Sequence, residues 1–176
     1  MNNKLLLCLF LLLSIQVFSQ ELAETKVSTP VPFTNTWEFI CENYALTGIT
    51  KVQITKTDKG GMLKLSVETT NPSYTIAGTV YVDLADNTVI TCLDKKIREV
   101  KGNEITACYY FSNIEMNKLK ITDIQTIRFN IEGNQKGFSS QTGNFTAVNK
   151  KKYFSTVFDK SKKSYDTATE ISGLYN

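Results

Sequence analysis

The 176-residue chain contains no histidine. Histidine is the side chain whose ordinary pKa lies closest to neutrality. Its absence excludes Ser-His-Asp and Cys-His nucleophilic systems, and it excludes the common zinc enzymes and Cys-His zinc sites. The chain also lacks Ser-x-x-Lys, Gly-x-Ser-x-Gly, Gly-x-Gly-x-x-Gly, P-loop and calcium-loop patterns. Only three prolines and one tryptophan are present, and beyond the first 20 residues no apolar run is long enough to span a bilayer. Charge is scarce in net terms: a formal +3 is too little to imply nucleic acid or a strongly acidic partner. No cofactor is expected. What remains for catalysis is a carboxylate pair, as in a small glycoside hydrolase. Glu38, Glu42, Asp83, Asp86 and Glu104 are the acids available for that unfavoured alternative.

What is present starts at the N-terminus. Lys4 precedes an apolar run from Leu5 to Val17, and Val17-Phe18-Ser19 offers modest residues at the −3 and −1 positions of a cleavage site. These are the parts of a secretory signal peptide over residues 1–19. The expected location is therefore exported, periplasmic or extracellular, with no transmembrane segment after cleavage. Residues 20–34, with Pro30 and Pro32 and few apolar side chains, read as a flexible leader. Residues 35–168 read as a single β-rich domain and 169–176 as a polar tail.

Within the domain the apolar period is close to two, as half-buried strands require. Val52 and Ile54 alternate with polar residues; Leu63, Leu65 and Val67 do the same after an Asp58-Lys59-Gly60-Gly61 turn. Further strands are expected from Tyr74 to Leu84, Thr88 to Leu93, Ile97 to Val100, Ile105 to Phe111 and Ile124 to Ile131. One of Tyr109 and Tyr110 is expected to face the core. Ser112 followed by Glu115 predicts a capped helical turn or two. Tyr153, Phe154, Val157, Phe158 and Tyr165 recur at helical spacing and predict an amphipathic C-terminal helix. The expected class is mainly β (α+β): an antiparallel β-sandwich or partly open barrel with that one helix as a cover.

Ala107-Cys108-Tyr109-Tyr110-Phe111-Ser112, then Glu115-Met116-Asn117-Lys118-Leu119, then Asp123-Ile124-Gln125-Thr126-Ile127-Arg128-Phe129 resembles a run found in uncharacterised exported proteins of the Bacteroidota. There a strand leads through an E-x-x-K-L turn to an I-x-x-I-R strand. The resemblance implies a secreted β domain and carries no activity with it.

Two surfaces suggest binding. The polar stretch from Glu132 to Asn144 is long for a structureless loop, and such loops are often functional. Phe138, Gln141, Asn144 and Phe145 there could stack on and hydrogen-bond a glycan or peptide. Lys150, Lys151, Lys152, Lys160, Lys162 and Lys163, against one acid at Asp159, could attract a polyanion or an anionic cell surface. Cys41, Cys92 and Cys108 follow the leader; Cys92 with Cys108 is the expected disulfide, set against three small buried thiols. The functional expectation is a non-catalytic binding or interaction domain whose partner is an envelope protein or a glycan.

Overall fold

Eight antiparallel strands close into a barrel in the computed structural model, which describes residues 32–41, 48–134, 139–152, 154, 158 and 161–176. The strands are β1 (Trp37–Cys41), β2 (Ile49–Thr57), β3 (Gly60–Glu68), β4 (Thr75–Leu84), β5 (Val89–Lys101), β6 (Glu104–Ser112), β7 (Ile124–Glu132) and β8 (Gly143–Val148). Two short helices accompany them among the described residues, α1 (Asn113–Leu119) and α2 (Thr167–Gly173). Around the wall the order is β1-β2-β3-β6-β5-β4-β7-β8, and β8 returns to β1. The mainly β, antiparallel class therefore stands, but the sheet is closed on itself and is neither sandwich nor open barrel. The expected signal peptide and nearly all of the leader lie outside the described residues.

Alternation explains the closure. Inward positions of each strand supply a packed core that includes Trp37, Phe39, Leu63, Leu65, Tyr109 and Ile127, all fully buried. In an eight-stranded barrel the lumen is just wide enough for side chains to fill it. Tyr109 takes the inward place and Tyr110 the outward one, because consecutive strand residues face opposite ways. The two expected strands at Thr88–Leu93 and Ile97–Val100 are one strand, β5, interrupted by a bulge. Asp94 pairs with Tyr109 but Ile97 pairs with Cys108, so Lys95 and Lys96 are extra.

Two crossovers seal the barrel ends. At one end residues 69–74 lead from β3 to β4, and Thr69 N–H bonds Asn103 O at 2.7 Å. At the other end α1 leads from β6 to β7. Ser112 accepts from Glu115 N–H while the Glu115 carboxylate accepts from Ser112 N–H, which is the capping box expected from the sequence. α1 buries Met116 and Leu119 in the barrel mouth. A Cβ on Gly61 would lie 2.2 Å from Met116 Sδ, and one on Gly60 would lie 2.0 Å from the Phe111 carbonyl oxygen. Both glycines let the helix and the β3–β6 ladder come together.

The C-terminal segment departs from expectation. Of the stretch from Tyr153 to Tyr165 the described residues are not helical: Phe154 and Phe158 are 85% and 91% exposed, and residues 161–166 form no helix, while Tyr153 and Val157 lie outside the described residues. The helix instead begins at Thr167, inside what reads as the end of the domain and its polar tail. Non-local bonds start it. Asp123 accepts from Ala168 N–H at 2.9 Å and from the Thr167 hydroxyl at 3.2 Å, while Thr167 Oγ1 accepts from Ile124 N–H at 2.8 Å. Asn149 adds two donated bonds, to Ile124 O and Tyr165 O, and accepts one from Tyr165 N–H. Ile171 is fully buried, and the Tyr175 ring lies beneath the ammonium groups of Lys56 and Lys120. The residues expected as a tail are thus part of the packed domain.

Candidate functional site

The barrel wall carries an apolar groove of about 670 Å³ on its outer face, where β5 and β6 meet the β2–β3 turn and the start of α1. Its floor is made by outward positions that strand pairing sets side by side. Leu93 pairs with Tyr110, and both line the groove; Met62, which pairs with Tyr110, and Ile97, beside Cys108, extend the outward row beyond its lining. Leu93 is 57% exposed and Ile97 45%. The rim is charged in both senses: Asp58 and Lys59 from the turn, Lys95 from the β5 bulge, and Glu115 from α1. Lys96 adopts positive φ within that bulge, and its N–H bonds Asp94 Oδ1 at 2.7 Å. The bulge therefore sets where Lys95 stands against the floor.

A second depression, of about 350 Å³, lies on the wall of β4, β7 and β8. Here Asn144 and Phe145 of the expected binding set come together with Tyr81, Arg128, Phe129 and Asn130. Gln141 does not join them: it is buried, and its Oε1 accepts from both the N–H and the hydroxyl of Thr70 at 2.9 Å, holding the chain over one barrel mouth. Phe138 lies outside the described residues. The stretch read as a loop up to Asn144 already contains the start of β8.

Lys150, Lys151, Lys152, Lys162 and Lys163 are exposed, though not along a helix, and Lys160 lies outside the described residues. Lys151 N–H bonds Lys163 O at 2.8 Å, which joins the two lysine runs. Lys162 pairs with Asp166, and the Lys151 ammonium stands 5.1 Å from the Tyr165 ring centre.

The expected disulfide does not form. Cys92 and Cys108 are both free. Cys92 is buried on the inward face of β5, whereas Cys108 is outward on β6 and pairs with Ile97, so the two sulfurs sit on opposite sides of the wall. Burial pushes the thiol pKa of both cysteines up, which favours the thiol over the thiolate.

Three of the five carboxylates available for catalysis, Asp83, Asp86 and Glu104, are occupied. Asp83 takes two bonds from Arg128, at 2.9 and 2.8 Å, and one from Thr126. The Arg128 bonds hold its carboxyl below the usual carboxylate range. Asp86 accepts from Thr88 N–H, which likewise lowers it. Glu104 bonds Lys51 across the wall. Glu38 is exposed, and Glu42 lies outside the described residues. A general acid near neutral pH needs a raised carboxyl, and neither aspartate offers one. Among the described residues no group of three or more His, Cys, Asp or Glu side chains could hold a metal ion, and no helix is long and apolar enough to cross a membrane.

Leu93, Ile97, Tyr81, Arg128 and Asn130 did not stand out in the sequence. One signal for the groove was there. Val89-Ile90-Thr91-Cys92-Leu93 is apolar on both faces of a strand, more than one core-facing side needs. No family model, no curated protein and no solved structure matches the chain, so its sites are read from geometry alone.

Proposed function

We propose that this chain is an exported, non-catalytic binding domain of the envelope or cell exterior, of the kind its resemblance to secreted Bacteroidota β domains suggests. It engages an envelope protein through the groove on β5 and β6. The observation that carries this reading is the row of Leu93, Ile97, Tyr110 and Met62 left on the outside of a barrel whose core is already full. Contiguous exposed apolar surface rimmed by polar residues marks interaction sites. Rim charges of both signs suit a protein segment with an apolar centre and mixed flanking charges. The bonded carboxylates of Asp83, Asp86 and Glu104, and cysteines whose burial favours the thiol form, support a role without chemistry.

The test places a photo-cross-linking residue at Leu93 or at Tyr110 in the protein on its own intact cells, with Gln125, exposed on β7, as the control position. One dominant adduct from both groove positions, absent from the control and lost on Leu93→Asp, is the expected result. Adducts that are the same from groove and control, or none from the groove, would remove the groove from this role. A second reading, attraction to a polyanion or anionic cell surface, is favoured by the backbone bond that joins the lysine runs at Lys151 and Lys163. Binding of that kind falls steeply with salt.

A further inference from the structure

We infer that the two lysine runs at 150–152 and 162–163, with Phe154 and Phe158, form an attachment site for the surface of an anionic lipid bilayer. Attachment of this kind rests on the second reading above, that the lysines meet an anionic surface, and it names that surface. The observation that carries it is a pair of phenyl rings, 85% and 91% exposed, that lie between the two lysine runs in sequence. A ring that the fold leaves in water gains free energy from any apolar phase it can enter. The lysines 150–152, 162 and 163 are exposed as well, and among the described residues from 150 to 163 every charge is positive.

The base of this site is held to the barrel. Asn149 is buried just beyond β8 and bonds both backbone groups of Tyr165, while Lys151 N–H bonds Lys163 O at 2.8 Å. The Tyr165 ring stacks on the fully buried Phe39 with ring centres 6.1 Å apart. The chain therefore leaves and returns at one fixed place, and the outgoing and returning lysine runs are brought together before any surface is met. Lys162 is paired with Asp166, and the Lys151 ammonium stands 5.1 Å from the Tyr165 ring centre.

A bilayer interface matches both halves of this chemistry. Its phosphates attract ammonium groups, each contributing about fivefold in affinity beside an anionic leaflet. The acyl boundary just below accepts aromatic rings. Lysine stems are long enough to keep their charges at the phosphates while the rings go deeper. A soluble polyanion would use the lysines and offer the rings nothing. A protein partner calls for a contiguous apolar face rimmed by charge, which the groove on β5 and β6 supplies and this segment does not.

Flotation of the protein, purified from its own cells, with phosphatidylcholine vesicles tests this. The vesicles are made with and without a quarter share of phosphatidylglycerol, and binding to dextran sulfate is measured in parallel. Flotation with the anionic vesicles alone is expected. Phe154→Ala/Phe158→Ala should weaken vesicle binding about tenfold or more and leave dextran sulfate binding unchanged. Both rings are exposed, so that variant keeps the wild-type melting temperature. Lys150→Gln/Lys151→Gln/Lys163→Gln should weaken both. In a Phe158→Trp protein on anionic vesicles, lipids brominated in the acyl chain should quench the new indole and spare the buried Trp37. Equal flotation with both vesicles, vesicle binding that survives loss of the two rings, or an unquenched indole would overturn the bilayer site. Binding to dextran sulfate without flotation would overturn it too, and would leave the polyanion reading standing; binding to neither would end both.

Discussion

At the scale of single residues, the least comfortable atoms lie inside the barrel. Thr50 is fully buried and, among the described residues, its hydroxyl has no hydrogen-bond partner; the indole N–H of Trp37 is in the same position. A buried polar group left unpaired costs about 1–3 kcal/mol. Thr50→Val keeps the shape and β-branching while removing the orphaned hydroxyl, so it should stabilise the fold by about 1 kcal/mol, read as a rise in the denaturant midpoint at unchanged slope. Orphan groups of this kind leave no trace in the sequence. Thr50 sits in a strand that alternates well, and its inward turn is fixed by its pairing with Phe39.

At the scale of elements, the pairing of β4 with β5 covers only Val80–Asp83 against Val89–Cys92. Beyond that the two strands diverge, and a clasp fills the space between them. Arg98 donates through Nε to Ile76 O at 2.6 Å, and through Nη1 and Nη2 to the Asp94 carboxylate at 3.0 and 2.8 Å. The Tyr109 hydroxyl donates to Gly78 O at 3.2 Å, and burial pushes its pKa up to about 12, so the donor persists across the physiological range. The Arg98 bond holds the Asp94 carboxyl below its ordinary 3.8. A depressed carboxyl adds stability above the unfolded value and loses it as pH falls through the folded one. Asp94→Asn should therefore cost about 2 kcal/mol at neutral pH, the value of charged hydrogen bonds. That cost should shrink as pH drops below the usual carboxylate range. Urea unfolding of both proteins across that range checks the sign; a cost constant with pH would contradict it.

The same scale shows what was legible and what was not. Strands of β2, β3, β4, β6 and β7 follow from two-residue periodicity, and α1 from its cap, because both signals are local. The described residues of the helix expected from Tyr153 to Tyr165 are not helical, because spacing alone does not say whether a partner surface exists. The barrel mouth there is filled by Met116, Leu119 and Ile171, and Phe154 and Phe158 face outward. The start of α2 could not be read because Asp123, about 45 residues away, supplies its first bonds. β8 was hidden in a polar loop because only Phe145 and Ala147 mark its inward face. Of the binding residues expected from that loop, Asn144 and Phe145 share a depression, while their companions Tyr81, Arg128 and Asn130 come from strands distant in the chain.

At the scale of the whole molecule, a ring of eight staves needs all eight joints, and these joints are unequal. Among the described residues β2 and β3 share eight registered pairs and β3 and β6 nine, whereas β1 and β8 share two, Ile40 with Val148 and Cys41 with Ala147. Strand separation costs least where the fewest backbone bonds and side-chain pairs must be given up. The weakest joint sets where the barrel opens first. Amides of β1 and β8 at that joint should exchange with solvent well before those of β3 and β6, through excursions that leave the rest of the wall intact. A closed fold with one such joint behaves, over long times, as a curved sheet with a latch.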